Sequence, residues 1–511
     1  MTTPDDIDPP APSLASQTAR GVIWMVLFKL AVRSLSLVST LILVRLLSPE
    51  DFGLVAMAMV FIAILDTLSS FSFDVVLIAN QDAGREEYDT AWTFNIIFKT
   101  ASMLVLLALA YPAALYYDEP RVTVLMAVLA VGQFASGFIN IGTVNFRKRM
   151  EFDKEFRYMF LSKVAGFLVT VPLAFILRNY WALIIGQIVN QFAQVALSFG
   201  MDAYRPRFRL SAWRGLFNFS KWLIYCNICG AVRQRATELI IGRASGPRGL
   251  GFFNISLELS NTPTTELIAP INRAVFPAYA RISNDLATLR TGYLKVISII
   301  SLIALPAALG IAATAPLIVP VALGEKWLPT IPLFVVLSFT GAVASLQTNI
   351  QSVYFALGRP KVLALIQTMN MLAVIAAVIP ATRAAGIEGA ALAFFGATVL
   401  LSPITFAILL NDLKLSVRAF LGELWRPVFG SILMYAVTAY LTDWLIASNH
   451  GLATLASLVL AIAAGAVIYT LTILILWALS RRPEGAESYI LAILTNRWAQ
   501  FRASRRPNPS P

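Results

Sequence analysis

One histidine and two cysteines in 511 residues leave little material for metal or redox chemistry. His450 stands alone in a short predicted loop, where it reads as a solvated residue and not as part of a proton relay. Cys226 and Cys229 form a C-x-x-C, but inside a predicted span and with no second pair, so they read as small packing residues and not as a zinc or redox motif. Charge is also scarce: only 13% of residues are Asp, Glu, Lys or Arg. No Walker A run is present, so ATP-driven work on this chain is not expected. Residues 1–20 carry Asp5, Asp6 and Asp8 with several prolines; they lack the basic start of a signal peptide and read as a short disordered cytoplasmic tail.

What is abundant is apolar: 58% of the chain is hydrophobic and the mean hydropathy is +0.72. Nearly the whole length divides into apolar runs long enough to cross roughly 30 Å of hydrocarbon as helix. About fourteen spans are predicted, near 21–47, 53–79, 91–116, 121–145, 159–178, 180–200, 218–242, 250–275, 292–319, 328–357, 361–382, 386–410, 426–446 and 452–479. Lipid cannot satisfy free backbone groups and the runs are too long for barrel strands, so the expected class is an all-α polytopic membrane protein.

The net charge of +12 comes from loops. Arg147, Lys148, Arg149, Lys154 and Arg157 cluster in one, Arg205, Arg207, Arg209 and Arg214 in another, and the tail 481–511 is basic. Placing these loops and both termini in the cytoplasm satisfies the positive-inside rule. No basic tract is interleaved with aromatics, which excludes nucleic acid as a partner. Outer loops are short, and the longest inner connections, near 201–217 and 276–291, run to roughly 20 residues, too little for a soluble catalytic domain. No enzyme, metal centre or cofactor is expected.

Candidate function therefore rests on charges inside the spans. Lys29 and Arg33 are i,i+4 on the first span, with Arg33 about 20 Å from either end. A cation at that depth costs roughly 2.5 to 3.5 kcal/mol on insertion scales unless it faces a cavity or a partner. Asp66 on the second span lies at a similar depth, so an Arg33–Asp66 pair is expected to be possible. On the seventh span Arg233 lacks an obvious local partner, whereas Arg235 and Glu238 are i,i+3 and expected to pair. The eighth span carries Asn254, Glu258, Asn261, Thr262 and Glu266, broken by Pro263 and Pro270, and is too polar to face lipid. Arg235 and Glu258 fall at similar depths. Lys29, Arg33, Arg233 and Arg235 are thus candidate substrate-binding residues for an anion, and Asp66, Glu238, Glu258 and Glu266 candidate cavity-lining or ion-coupling residues. From about residue 292 onward ionised residues become sparse.

Several segments carry a resemblance. The run Leu43-Val44-Arg45-Leu46-Leu47-Ser48-Pro49-Glu50-Asp51-Phe52-Gly53-Leu54-Val55-Ala56 resembles the signature of the polysaccharide transporter (PST, WzxC-type) branch of the MOP flippase superfamily. Ile240-Ile241-Gly242-Arg243, Gly249-Leu250-Gly251-Phe252-Phe253-Asn254, Asn272-Arg273-Ala274-Val275-Phe276-Pro277-Ala278, Gly324-Glu325-Lys326-Trp327-Leu328-Pro329 and Ala356-Leu357-Gly358-Arg359-Pro360 are similar to later family segments, in the expected order. Where the family pattern has an acidic residue in the seventh span, Thr237 stands here, with Glu238 beside it.

The resemblance implies a MATE-like fold of two six-helix lobes, 21–200 and 218–410, joined by a cytoplasmic linker over 201–217 and followed by two further spans within 411–480. It implies a flippase that moves lipid-linked oligosaccharide, carried on undecaprenyl pyrophosphate, across the bacterial inner membrane by alternating access. The product would enter exopolysaccharide, capsule or lipopolysaccharide O-antigen synthesis. Membrane lipids, H⁺ or Na⁺, and polysaccharide polymerase and export machinery are the other partners implied. The alternatives are a cation-coupled multidrug antiporter of the same fold, which Lys29 and Arg33 disfavour, and a polytopic oligosaccharide polymerase or ligase, which the short outer loops disfavour.

Overall fold

The computed structural model describes residues 31–69, 77, 83–149, 151–211, 221–448, 454–480 and 488. Lys29 and His450 lie outside them. The described residues form helices and no strand, as the apolar periodicity requires. The chain divides into two compact units, Met1–Ser220 and Lys221–Pro511.

The first unit contains α1 (31–46), α2 (Pro49–Ser69), α3 (Arg85–Tyr117), α4 (Arg121–Ser136), α5 (Val144–Lys148), α6 (Phe152–Leu177) and α7 (Trp181–Met201). The turn between α1 and α2 is set by a capping box. Pro49 opens α2 with a φ already suited to helix, and Ser48 precedes it. The Asp51 amide donates to Ser48 Oγ at 3.2 Å, and Asp51 Oδ2 accepts from the Ser48 amide at 2.9 Å. The same carboxylate reaches a second turn: Asp51 Oδ1 accepts from the Tyr180 amide, at the α6–α7 junction, at 2.9 Å. Beside it, Leu43, Leu47, Ala174 and Ala182 bury against one another. Glu50 joins a third turn through Arg121, 2.6 Å away, which also pairs with Glu119 at 2.7 Å. This short acidic segment therefore fastens three helix junctions of the unit.

At the end of α7 an extended segment over 202–210 is pinned along α3. Tyr204 Oη donates to Asp89 Oδ1 at 2.7 Å, the Arg207 amide donates to the same oxygen at 2.8 Å, and the Arg209 amide donates to Thr93 Oγ1 at 2.9 Å. Arg209 adds an ion pair to Glu86 at 2.7 Å. Burial and the neighbouring Asp89 carboxylate push the Tyr204 phenol up from its ordinary value. The arginines of this segment do more than mark topology: their backbone holds the chain in place.

The second unit contains α8 (Lys221–Ile282), α9 (Leu286–Ile318), α10 (Ile331–Gln347), α11 (Ile350–Ala356), α12 (Pro360–Asp412), α13 (Val417–Ala447) and α14 (Thr454–Leu479). Both α8 and α12 are double helices in one run. In α8 the break is Gly246, at φ 65, a left-handed conformation that glycine adopts without a Cβ penalty; Pro247 then starts the next helix. In α12 the break is Ala385–Gly386, with Gly386 at φ 58. There the chain doubles back, because a Cβ on Gly389 would collide with the carbonyl of Ala381; on one straight helix these residues would be about 12 Å apart. A Cβ on Gly249 would lie 3.0 Å from Ile387, so the two breaks pack together.

The eighth predicted span differs from expectation. Its helix continues through Pro263 and Pro270 to Ile282, and the long connection expected near 276–291 shrinks to 283–285. Proline is tolerated in such helices where neighbouring groups satisfy the freed carbonyls. Asp285 then caps α9, its Oδ1 accepting from the Ala287 amide at 2.9 Å.

Each predicted span overlaps helix wherever its residues are described. Among the described residues, eight helices are long and apolar enough to cross a membrane, or nine if α4 and α5, bent by 66°, count with their connection as one. The protein is a multi-pass membrane protein.

Candidate functional site

The two halves of α8 face each other across a cavity of about 590 Å³ in the second unit. Arg233, Gln234, Arg235 and Glu238 come from the first half, and Asn254, Glu258 and Asn261 from the second. Arg235 and Glu258 stand 11 and 12 residues from Gly246, and equal distance from a helical break puts them at equal depth. Helices α10 and α12 complete the wall with Thr340, Ser345, Thr398 and Phe394, together with Thr348 just after α10. Gly341 makes room for Asn261, whose amide oxygen occupies the space a Cβ would need.

Inside this wall the two arginines differ. Arg235 Nη1 donates to both oxygens of Glu238, at 2.9 and 2.8 Å, and Glu238 is only 3% exposed. That pair is the expected i,i+3 contact. Because one nitrogen makes both bonds, Arg235 keeps Nε and Nη2 for another acceptor. Arg233 forms no ion pair among the described residues, and its Nε is buried there without a hydrogen-bond partner. A buried guanidinium N–H left unmade costs more than a neutral group would, and such groups are retained where something else satisfies them. Thr237, in the position where the family pattern has an acid, instead bonds back to the Arg233 carbonyl at 3.1 Å. Glu266 is exposed on the second half of α8 and lies outside the cavity wall.

In the first unit the expected pairing changes. Asp66 does not pair with Arg33; it accepts from Lys99 Nζ at 2.6 Å and from Gln133 Nε2 at 3.2 Å, and Lys99 also donates to Gln133 Oε1 at 3.0 Å. The closed triangle joins α2, α3 and α4 and occupies both carboxylate oxygens. Arg33 sits partly buried on α1. Lys99 and Gln133 are the residues that sequence reasoning missed. The available signal was a lysine on an apolar helix: α3 begins at Arg85, earlier than the predicted span, so Lys99 lies about 21 Å along it.

Cys226 and Cys229 are buried and free, as expected for packing residues, with Cys226 in the core that also holds Tyr279 and Tyr293. No group of three metal-ligating side chains occurs among the described residues.

The family model for polysaccharide biosynthesis proteins matches residues 42–332. The chain belongs to this family. It is 26% identical to the lipopolysaccharide biosynthesis protein WzxC of Escherichia coli strain K12, over 82% of this chain and 86% of that one. Among solved structures, the inward closed conformation of the lipid II flippase MurJ superposes with a TM-score of 0.62 at 15% identity, covering 89% of this chain and 99% of that one. An inward-facing multidrug resistance MATE family transporter of the MOP superfamily superposes with a TM-score of 0.53 at 15% identity, covering 74% and 94%. At such identities the likeness is one of fold, and the fold is MATE-like.

Proposed function

We propose that this family member is a flippase that carries lipid-linked oligosaccharide, on undecaprenyl pyrophosphate, across the bacterial inner membrane by alternating access. The observation that carries this reading is Arg233: a buried Nε–H with no hydrogen-bond partner among the described residues, on the wall of a cavity that also presents Arg235, Glu238, Glu258 and several amides and hydroxyls. A pyrophosphate is a dense oxyanion that guanidinium groups bind by charge-assisted hydrogen bonds, and the asparagine, threonine and serine groups match sugar hydroxyls. Arg233 and the free edge of Arg235 would take the phosphate, with Glu238 holding Arg235 in place. Lys29 and Arg33 are proposed as further substrate-binding residues for an anion.

No covalent step is required, which fits a transporter and not an enzyme. Both termini are proposed to be cytoplasmic, in keeping with the basic loops and tail. Asp66 and Glu258 are proposed as positions where H⁺ or Na⁺ would be coupled, and the delivered units would pass to polysaccharide polymerase and export machinery. Membrane lipid surrounds the polyprenyl tail throughout. A cationic drug would meet Arg233, which forms no ion pair among the described residues, in this cavity, and that disfavours the antiporter reading.

The test is deletion in the source cell followed by leaflet-resolved labelling of lipid-linked glycan. The reading expects glycan to accumulate on the cytoplasmic leaflet and to disappear from the outer one. An unchanged outer pool, in a strain without a second transporter, contradicts it.

A further inference from the structure

The first unit has two adjoining open pockets walled by α1, α6 and α7, the first also by α5. One, of about 160 Å³, is lined by Val32, Arg147, Glu155, Tyr158 and Gln194; the other, of about 240 Å³, by Ser36, Ser39, Thr40, Thr170 and Gln187. Lys163 lines both.

Helical spacing shows that the two are successive stretches of one furrow. On α6 the lining residues Glu155, Tyr158, Met159, Ser162, Lys163, Gly166 and Thr170 follow the i, i+3, i+4, i+7 pattern of a single helical face. On α7 Leu183, Gln187, Asn190 and Gln194 do the same, and on α1 so do Val32, Ser36, Ser39 and Leu43. The α6–α7 wall is tied together. Asn190 Nδ2 donates to the Ser162 carbonyl at 2.9 Å, and Gln194 Nε2 donates to Asn190 Oδ1 at 2.7 Å. The helices approach closely through two glycines. A Cβ on Gly166 would lie 3.0 Å from Asn190, and one on Gly186 would collide with Thr170.

Lys163 lies within two residues of the middle of α6, between Phe152 and Leu177. A lysine there would be costly against lipid, and helical side chains lean toward the N-terminus, which here is the first cavity. Arg147, the other cation on the furrow, is already paired with Glu155 at 2.5 Å. Lys163 forms no ion pair among the described residues. The furrow thus offers one central cation flanked by hydroxyl and amide groups.

We propose that this furrow is a second ligand site, which takes an oxyanion carried on a hydroxyl-rich, sugar-like group. Lys163 is the charge partner, and Ser39, Thr40 and Gln187 are the hydrogen-bonding partners along the track. The proposal rests on lipid-linked oligosaccharide as the cargo and deepens it: the first unit has a recognition site of its own for that cargo, in addition to the cavity of Arg233. The oxyanion has two possible sources, a phosphate of the carrier or a carboxylate on an acidic sugar.

The test uses the full chain in lipid nanodiscs, in an Arg233→Gln background that silences the second-unit cavity. Binding of inorganic pyrophosphate, a glucuronate-containing disaccharide and a neutral disaccharide is measured by calorimetry. At least one of the two anions should bind saturably, and Lys163→Gln should weaken it about tenfold or more, the loss of one charge-assisted hydrogen bond, while Lys163→Arg retains most of the affinity. The anion that responds identifies the source, and Gln187→Ala should weaken the acidic sugar in particular if the sugar is that source. Saturable binding of neither anion, or equal binding by Lys163→Gln and its parent, overturns the site. Leaflet transport is read separately, in proteoliposomes with Arg233 intact. Transport by that parent, with binding unchanged by Lys163→Gln, removes the furrow and leaves the transport reading standing; Lys163-dependent binding with no leaflet transport by that parent does the reverse.

Discussion

Lys99 and Asp66 form a 2.6 Å ion pair between α3 and α2, bridged on both sides by the amide of Gln133. Each charge sits on a helix of a membrane protein, and each is the other's neutralising group. Removing one leaves the second with only a neutral amide beside it. Lys99→Met and Asp66→Asn should each lower stability by about 1.5–3 kcal/mol, the scale of a hydrogen bond to a charged group. The double variant should recover more than half of that loss. Thermal unfolding in detergent checks this, and additive losses would show that the pair is not coupled.

The two arginines of the second-unit cavity should separate function from stability. The Arg233 Nε has no hydrogen-bond partner among the described residues, so Arg233→Gln should cut transport by about tenfold or more with little change in melting temperature. Arg235 holds the buried Glu238, so Arg235→Gln should lower both transport and stability. The double variant Arg235→Gln with Glu238→Gln should restore the melting temperature and not the transport. Recovery of both would mean that Arg235 serves only as a counter-ion.

Asp51 is expected to matter more than its place in a turn implies. It closes the Ser48 capping box and also accepts from the Tyr180 amide. Asp51→Ala should cost about 1–2 kcal/mol, the usual range for a lost cap, and more if the Tyr180 amide finds no other acceptor. Asp51→Asn, which retains an acceptor oxygen, should lose less. Equal melting temperatures for all three proteins would contradict the assignment.

A pH dependence follows from the α3–α4 turn. Hydrogen bonding from Arg121 holds the Glu119 carboxyl below its ordinary value. A depressed folded-state value means that the stabilisation is complete above the unfolded value, about 4.3, and is lost as pH falls through the lower folded one. The melting temperature of the parent should therefore exceed that of Glu119→Gln at pH 6, with the difference shrinking below about pH 4. A difference that stays constant to pH 3 would show that the turn does not depend on this charge. Because Arg121 is substantially exposed, the effect should also weaken in high salt.

How much of this was legible in the sequence depends on the range of the interaction. The helical class, the Arg235–Glu238 pair and the Ser48–Asp51 turn are all local in the chain, and three-residue spacing specifies them. The partner of Asp66 is 33 residues away, and several cations lie at comparable depth; packing of α2 against α3 chooses Lys99 over Arg33. Helix starts were the other difficulty. Because α6 begins at Phe152 and not near residue 159, Lys163 moves from the apparent edge of a span toward the middle of a helix. Pro263 and Pro270 read as breaks because the neighbours that accommodate them are far away in sequence, whereas the break of α8 at Gly246, just before Pro247, falls in the gap expected between the spans 218–242 and 250–275.

The central claim is that the cavity of Arg233 carries the anionic head of a lipid-linked glycan from one leaflet to the other. Its most direct measurement is leaflet-resolved transfer of undecaprenyl-pyrophosphate oligosaccharide in proteoliposomes, comparing the parent protein with Arg233→Gln. The account predicts transfer by the parent well above protein-free vesicles and a loss of about tenfold or more in the variant. Transfer at the protein-free rate by the folded parent, or equal transfer by both proteins, would contradict it.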